Sequence, residues 1–192
     1  AALFCNWLSE KENLPKFYNV LGDRVTSINW DSNGYRLPTE SEWSWVAKVT
    51  KAGSTKVFPW NSPSYPPPFV SGNYADESAK SMLPFTISNY NDSFPVSASV
   101  GSFRPNEKGI FNLSGNVAEW VNDFYEIRVN KSEPLVDYRG PNTGNRHVIR
   151  GASWALGSRS ELRLSYREPG YDGKIDVGFR IARYVDKPKG DL

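Results

Sequence analysis

A chain of 192 residues with 39% apolar and 23% charged side chains has room for one domain, and a chain of this length buries about 70% of the surface its unfolded form exposes. A formal net charge of +2 with no block of Lys or Arg excludes a nucleic-acid footprint, and no apolar run is long enough to span a bilayer. One cysteine and one histidine exclude an internal disulfide, a CxxC site and any cluster of two or three His ligands.

The chain opens without Met, on an amphipathic pattern already in progress and with no signal peptide visible, and so reads as a processed or trimmed product. Residues 1–12 are predicted to be helical, with Leu3, Phe4, Trp7 and Leu8 forming one apolar face. Cys5 reads as a small buried hydrophobe, because no basic partner sits at helical spacing to activate it. A second helix is expected from about Glu40 to Val49. Thr39 is its N-cap, Glu42 completes a capping box three residues on, and Trp43, Val46 and Ala47 form its buried face.

From residue 51 to 110 the pattern breaks up into long ordered loops. The run 62–68 (Ser-Pro-Ser-Tyr-Pro-Pro-Pro) excludes helix and central strand, because proline has no N–H to donate. Loops of that extent in a compact domain are expected to carry function or to be held by ligands or ions. Order returns at 109–120, and strands are expected at 147–150 and 177–184, where Val177, Phe179 and Ile181 carry the apolar signal. Residues 154–176 between them read as irregular. No repeat or linker divides the chain, so 1–192 is taken as one domain.

Four segments now stand in order: Phe4-Cys-Asn-Trp-Leu8, Gly34-Tyr-Arg-Leu-Pro-Thr-Glu-Ser-Glu-Trp43, Gly109-Ile-Phe-Asn-Leu-Ser-Gly-Asn-Val-Ala-Glu-Trp-Val121, and Arg150-Gly-Ala-Ser-Trp154 with Gly178-Phe-Arg180. The series resembles the sulfatase-modifying-factor family, whose founding enzyme generates formylglycine. The resemblance implies an α+β, C-type-lectin-like fold with little regular secondary structure and long loops. Family domains usually begin with strands upstream of the first helix, which this chain lacks.

The resemblance also implies structural calcium. One ion would sit in the loop of Asn112, Gly115, Val117 and Glu119, a second between Asn73, Tyr74, Asp92 and Phe94. The glycine, Val117, Tyr74 and Phe94 would contribute backbone carbonyls, since calcium takes six to eight oxygens from flexible loops. The alternative is that Asn112 and Asn116 cap turns and Glu119 pairs with an arginine. Trp120-Val-Asn-Asp123 is superficially similar to the sugar-binding calcium motif of true lectins, but Val121 breaks its spacing.

The family's oxidases bind copper through two cysteine thiolates in the segment after Arg150-Gly-Ala-Ser. Here Leu156 and Ser160 or Glu161 stand at those places, and neither is a thiol. A second enzymatic branch holds iron through three histidines, which a single His147 excludes. A serine nucleophile from Ser153, Ser158 or Ser160 with His147 as base is conceivable, but nothing in the pattern marks it.

The stretch 154–177 is rich in Trp, Tyr and Arg, the residue types enriched at binding hot spots. Trp154, Leu162 and Leu164 suit a core, whereas Leu156, Arg159, Ser160, Tyr171, Asp172 and Ile175 are expected to be exposed. Trp154 with these six makes up the candidate ligand-binding set. Some family members, such as the Treponema variable proteins, are diversified by retroelements in this same segment, through adenine-directed changes in Asn codons. The runs 155–160, 171–173 and 175–177 contain only residues reachable that way. The expectation is therefore a non-enzymatic, monomeric, surface-displayed or secreted bacterial domain that binds a protein or small molecule and carries structural Ca2+. A structural subunit of a secretion or gliding lipoprotein complex, and an enzyme with non-copper chemistry, are the alternatives.

Overall fold

The computed structural model describes residues 1–60, 62–127 and 136–185. It has two helices, α1 (Ala2–Lys11) and α2 (Glu40–Lys48), and a short 3-10 turn at Glu77–Ala79. Strands β1 (Tyr18–Leu21) and β2 (Arg24–Ile28) form a hairpin. Strands β3 (Ala118–Phe124), β4 (His147–Arg150), β5 (Arg167–Gly170) and β6 (Val177–Phe179) form one sheet in the order β5-β4-β3-β6. Its pairs are antiparallel except β3 with β6, which run parallel. The long middle of the chain is loop, as its prolines and glycines require.

α2 forms where its cap predicts. The Thr39 hydroxyl accepts from the Glu42 amide while the Glu42 carboxylate accepts from the Thr39 amide, closing the capping box. The same carboxylate takes two hydrogen bonds from the buried Arg36 guanidinium, at 2.7 Å each. One acidic side chain thus starts the helix and satisfies a buried cation, whose ring faces are Tyr184 and Phe17.

α1 turns the other way from its sequence pattern. Cys5, Asn6 and Ser9 face inward, and Leu3, Phe4 and Trp7 are almost half exposed. The buried face is held by hydrogen bonds that hydrophobicity does not register. The Asn6 amide pairs with the backbone of Tyr18, and the Ser9 hydroxyl accepts from the Tyr35 amide. Phe4 and Trp7 instead form an outer aromatic cluster with Phe179. Burial pushes the Cys5 thiol up to about 11, so it is a packed group rather than a nucleophile.

Two further expectations are corrected. Residues 154–176 are not irregular throughout, because β5 occupies Arg167–Gly170 and pairs with β4 over its whole length. The strand expected at 177–184 ends at Phe179, and Ala182 then bridges to Arg36. The core falls into three adjoining clusters. Trp43 and Val121 lie under α2, Phe17 and Tyr18 lie behind α1, and stacked Phe58 and Trp60 sit with Tyr74, Ile87 and Leu162 beneath the long loops.

Asp123 is 1% exposed. Its Oδ2 accepts from the Glu40 amide at the start of α2, and its Oδ1 has no partner. Burial pushes its carboxyl up to about 6, the Glu40 amide pulls against that rise, and the nearby Glu40 charge adds to it. The folded state therefore binds this proton more tightly than the unfolded state, and stability falls as pH rises from about 4 through about 6. Asp123→Asn keeps an acceptor for the Glu40 amide without the charge. We expect it to be more stable than the parent by on the order of 1–2 kcal/mol at pH 7 and no more stable below pH 4, as read by urea unfolding at both pH values.

Candidate functional site

Asn116 sits at the junction of the site's loops. It is 6% exposed and adopts φ 66°, in the left-handed region that asparagine tolerates. Its amide donates to the Asn73 carbonyl, and its carbonyl accepts from the Trp154 amide, both at 2.8 Å. Its side chain exchanges two hydrogen bonds with the backbone of Ala98. One residue thus ties together the Asn73 loop, the loop around residue 98 and the start of the 154–177 segment. Gly115 beside it has φ +86°, and a Cβ there would lie 2.7 Å from the Asn73 carbonyl, so the two loops touch through glycine.

The loop 112–119 is closed by an arginine. Glu119 is 5% exposed. Its carboxylate accepts from Trp43 Nε1 at 2.7 Å and from Arg180 Nε and Nη2 at 2.6 and 2.5 Å. Arg180 Nη2 also donates to the carbonyls of Phe111 and Asn112. The acidic group and a carbonyl of this loop therefore already serve an internal cation, and the donor set does not fit a calcium ion in addition.

The donor set around Asn73, Tyr74, Asp92 and Phe94 differs. Asn73 is fully buried, and its Oδ1 has no hydrogen-bond partner. The Asp92 carboxylate accepts from the amides of Tyr74 and Phe94. Asp76, which the sequence reading did not single out, is also fully buried and accepts from the Asp92 amide and from Ser78. No lysine, arginine or histidine is paired with either carboxylate among the described residues. Burial pushes the Asp92 carboxyl up to about 6, against the pull of its two backbone donors, and Asp76 adds to the rise. No group of three or more His, Cys, Asp or Glu converges among the described residues, so a cation here would also take amide, carbonyl and water oxygens. An orphaned buried amide oxygen on Asn73, next in sequence to Tyr74, whose amide donates to Asp92, together with two carboxylates lacking a cation among the described residues, is a donor set that fits a hard cation.

The 154–177 segment is anchored from inside and presented outward. Trp154, Leu162 and Leu164 are buried. Arg150, 1% exposed and stacked on the Trp43 ring, donates to the carbonyls of Leu164, Ser165 and Tyr166 and so clamps the segment onto β4. Arg167 holds Glu40 of α2 through two hydrogen bonds. Contrary to the expected exposure, Leu156 is half buried, because its side chain packs against the aromatic cluster, whereas Arg159, Ser160, Tyr171, Asp172 and Ile175 are exposed as expected.

These residues do not gather into one patch. Gly170 pairs with His147 at the far end of β4, so Tyr171 and Asp172 leave the sheet there, with Tyr171 against the Arg146 guanidinium. Residues 171–176 then cross from the β5 edge to the β6 edge, three strand spacings or roughly 14 Å. Asp176 arrives beside Ser153, which donates to it at 2.6 Å, and this brings Ile175 back toward the end of the sheet from which Leu156, Arg159 and Ser160 emerge. An open hollow of about 480 Å³ lies among Arg159, Ser160 and Arg163.

His147 starts β4, whereas Ser153, Ser158 and Ser160 follow its end. The imidazole stacks on Phe124 with Nδ1 at the Asn122 carbonyl, and burial holds its pKa below the usual value. Among the described residues no serine–histidine pair forms. Cys5 lies in α1, remote in sequence from the Leu156 and Ser160 positions.

Residues 1–185 match the family model described as the sulfatase-modifying factor enzyme 1-like domain. A formylglycine-generating enzyme of Streptomyces coelicolor is 29% identical over 95% of this chain and 57% of its own length. The mouse protein named inactive C-alpha-formylglycine-generating enzyme 2 is 28% identical over 96% of this chain and 54% of its own. The chain thus spans a little over half of these relatives. The solved structure of Treponema denticola variable protein 1 superposes with TM-score 0.73 at 26% identity, over 97% of this chain and 68% of that one.

Removing the Arg180 guanidinium leaves Glu119 charged, buried and without a cation. Arg180 keeps about a quarter of its surface in water, so Arg180→Ala is expected to cost about 2–4 kcal/mol in urea unfolding. Adding Glu119→Gln removes the stranded charge, and the double variant is expected to be more stable than Arg180→Ala alone. A double variant that is less stable would show that the pairing does not close this loop. The family model spans nearly the whole chain and the fold agrees with it, and the chain belongs to the sulfatase-modifying factor enzyme 1-like family.

Proposed function

We propose that this domain binds a ligand and does not catalyse the family's oxidation, with the outward residues of the 154–177 segment, which leave the sheet at both of its ends, as its binding surface. The observation that carries the reading is the make-up of that segment. Leu156 and Ser160–Glu161 stand where thiolates would hold copper, and no other common side chain replaces a pair of them. The segment's anchors are buried, while Arg159, Ser160, Tyr171, Asp172 and Ile175 face solvent. A relative named inactive and a structural neighbour named a variable protein support the same reading.

On that reading the domain acts outside the cytoplasm, at a bacterial surface or secreted, as a monomeric receptor for a protein or small molecule. No described helix is long and apolar enough to cross a membrane. Retroelement diversification of residues 155–160, 171–173 and 175–177 would leave the clamp from Arg150 and the Asn116 junction unchanged. The genomic test is an Asn-rich near-repeat of this segment beside a reverse-transcriptase gene. The binding test is a panel of glycans and extracytoplasmic proteins, probed with the parent and with an Arg159→Ala/Tyr171→Ala/Ile175→Ala variant. We expect at least one ligand that the parent binds and the triple variant loses, with unchanged circular dichroism. Conversion of a sulfatase-type cysteine peptide to formylglycine in the presence of copper would overturn the reading.

We further propose one structural calcium ion, held by Asn73 Oδ1, Asp92, Asp76 and the carbonyls of Tyr74 and Phe94, with Arg180 replacing the ion in the loop of Asn112, Gly115, Val117 and Glu119. Calorimetry is expected to give one calcium per chain. Saturating calcium is expected to raise the melting temperature by about 5–10 °C over an EDTA-treated sample, and Asp92→Asn to abolish both effects. Two ions per chain, or none, would contradict this assignment.

A further inference from the structure

The turn from Ser158 to Tyr166 is held firmly from within. Leu162 and Leu164 are buried, the Leu164 amide donates to the Val57 carbonyl, and Arg150 takes the carbonyls of residues 164–166. Arg159, Ser160 and Arg163 therefore point to solvent from a fixed backbone. Every other arginine described from β4 to the chain's end has an internal partner. Arg150 and Arg167 meet Glu40, Arg180 meets Glu119, and Arg183 meets Glu12. No ion pair, hydrogen bond or ring contact engages the guanidinium of Arg159 or Arg163 among the described residues. The adjacent carboxylate of Glu161 is tied back to the Ser158 amide and pairs with neither.

We propose that the hollow among Arg159, Ser160 and Arg163 binds a tetrahedral oxyanion, a sulfate or phosphate ester carried by the ligand. This names the ligand class for the binding face proposed above and rests on that reading. Two planar guanidinium forks and a serine hydroxyl offer more donors than the two oxygens of a carboxylate can receive, whereas a sulfate or phosphate ester has three free oxygens. The volume of about 480 Å³ exceeds that of the anion and leaves room for its carrier. Ser160 Oγ stands 3.2 Å from Ser158 Oγ and can turn its proton toward the anion while accepting from Ser158.

The test is an NMR titration at low ionic strength with inorganic sulfate, inorganic phosphate and acetate in separate arms. The proteins are the parent, Arg159→Ala, Arg163→Ala and, as a control for net charge, Arg24→Ala on the exposed hairpin. We expect sulfate, phosphate or both to shift the amides of 158–163 with millimolar affinity, weakened about fivefold or more by either loop variant and unchanged by Arg24→Ala. Which of the two ions binds tighter identifies the ester. Acetate binding as well as sulfate, an equal loss in Arg24→Ala, or shifts elsewhere would overturn the assignment. If neither ion binds but the panel still returns a ligand lost in the triple variant, the oxyanion assignment fails while the binding face stands. If the panel returns no such ligand, the binding face itself fails.

Discussion

Asn116 holds the architecture of the site together. A domain with so little regular structure must satisfy the backbone groups of its long loops by some other means, since each buried unpaired amide or carbonyl costs about 1–3 kcal/mol. Asn116 meets four such groups at once, from Asn73, Ala98 and Trp154. It does so from the left-handed region, where its short polar side chain is tolerated and a β-branched one is not. The Asn73 loop and the outward-facing segment after Trp154 are thus two branches from one junction, and the position of each depends on it.

The two acidic loops near this junction solve the same electrostatic problem differently. A buried carboxylate needs a cation or several donors. Glu119 receives a guanidinium and an indole N–H from its own chain, and Arg180 at the end of the sheet is thereby fastened to α2 and β3. Asp76 and Asp92 receive only backbone and hydroxyl donors, and Asn73 Oδ1 receives nothing. Among the described residues only the second place leaves its carboxylates without a cation and a buried amide oxygen without a donor. What distinguishes the Glu119 loop from the Asp92 loop is a side chain 61 positions later, Arg180. Loop spacing alone carries no information about such a remote competitor.

Features written in short local patterns were legible in the sequence. The capping box at Thr39–Glu42 placed α2, and the prolines at 63–68 excluded regular structure. Features that depend on pairing across the chain were not. β5 carries Pro169 and charged residues, as an edge strand may, so its membership of the sheet appears only in its register with β4. The β1–β2 hairpin had a usable signal in Gly22-Asp23, a two-residue turn between Tyr18–Leu21 and Arg24–Ile28 with φ +64° at the glycine. The orientation of α1 misled the pattern reading because its inward face is stapled by Asn6 and Ser9, polar residues whose hydrogen bonds outweigh the apolar count. Near the candidate site, the exposure of Arg159, Ser160, Tyr171, Asp172 and Ile175 was legible from composition, but the half-burial of Leu156 and the contacts of Asp76 and Asn116 arise only in the fold.

A segment that varies while the fold persists must have its structural and contact residues separated along the chain, and residues 150–177 meet that condition. The clamp acts through backbone carbonyls at 164–166, which any side chain provides, and the aliphatic anchors Leu162 and Leu164 point away from solvent. Arg159 and Ser160 lean on none of these, so replacing them leaves the backbone path intact. Leu156 is the exception. Half buried against the aromatic cluster, it couples the outer surface to the core, and a polar or larger residue there would change both the packing and the presented face. Leu156 is thus the position of this segment where the presented surface and the core packing are joined.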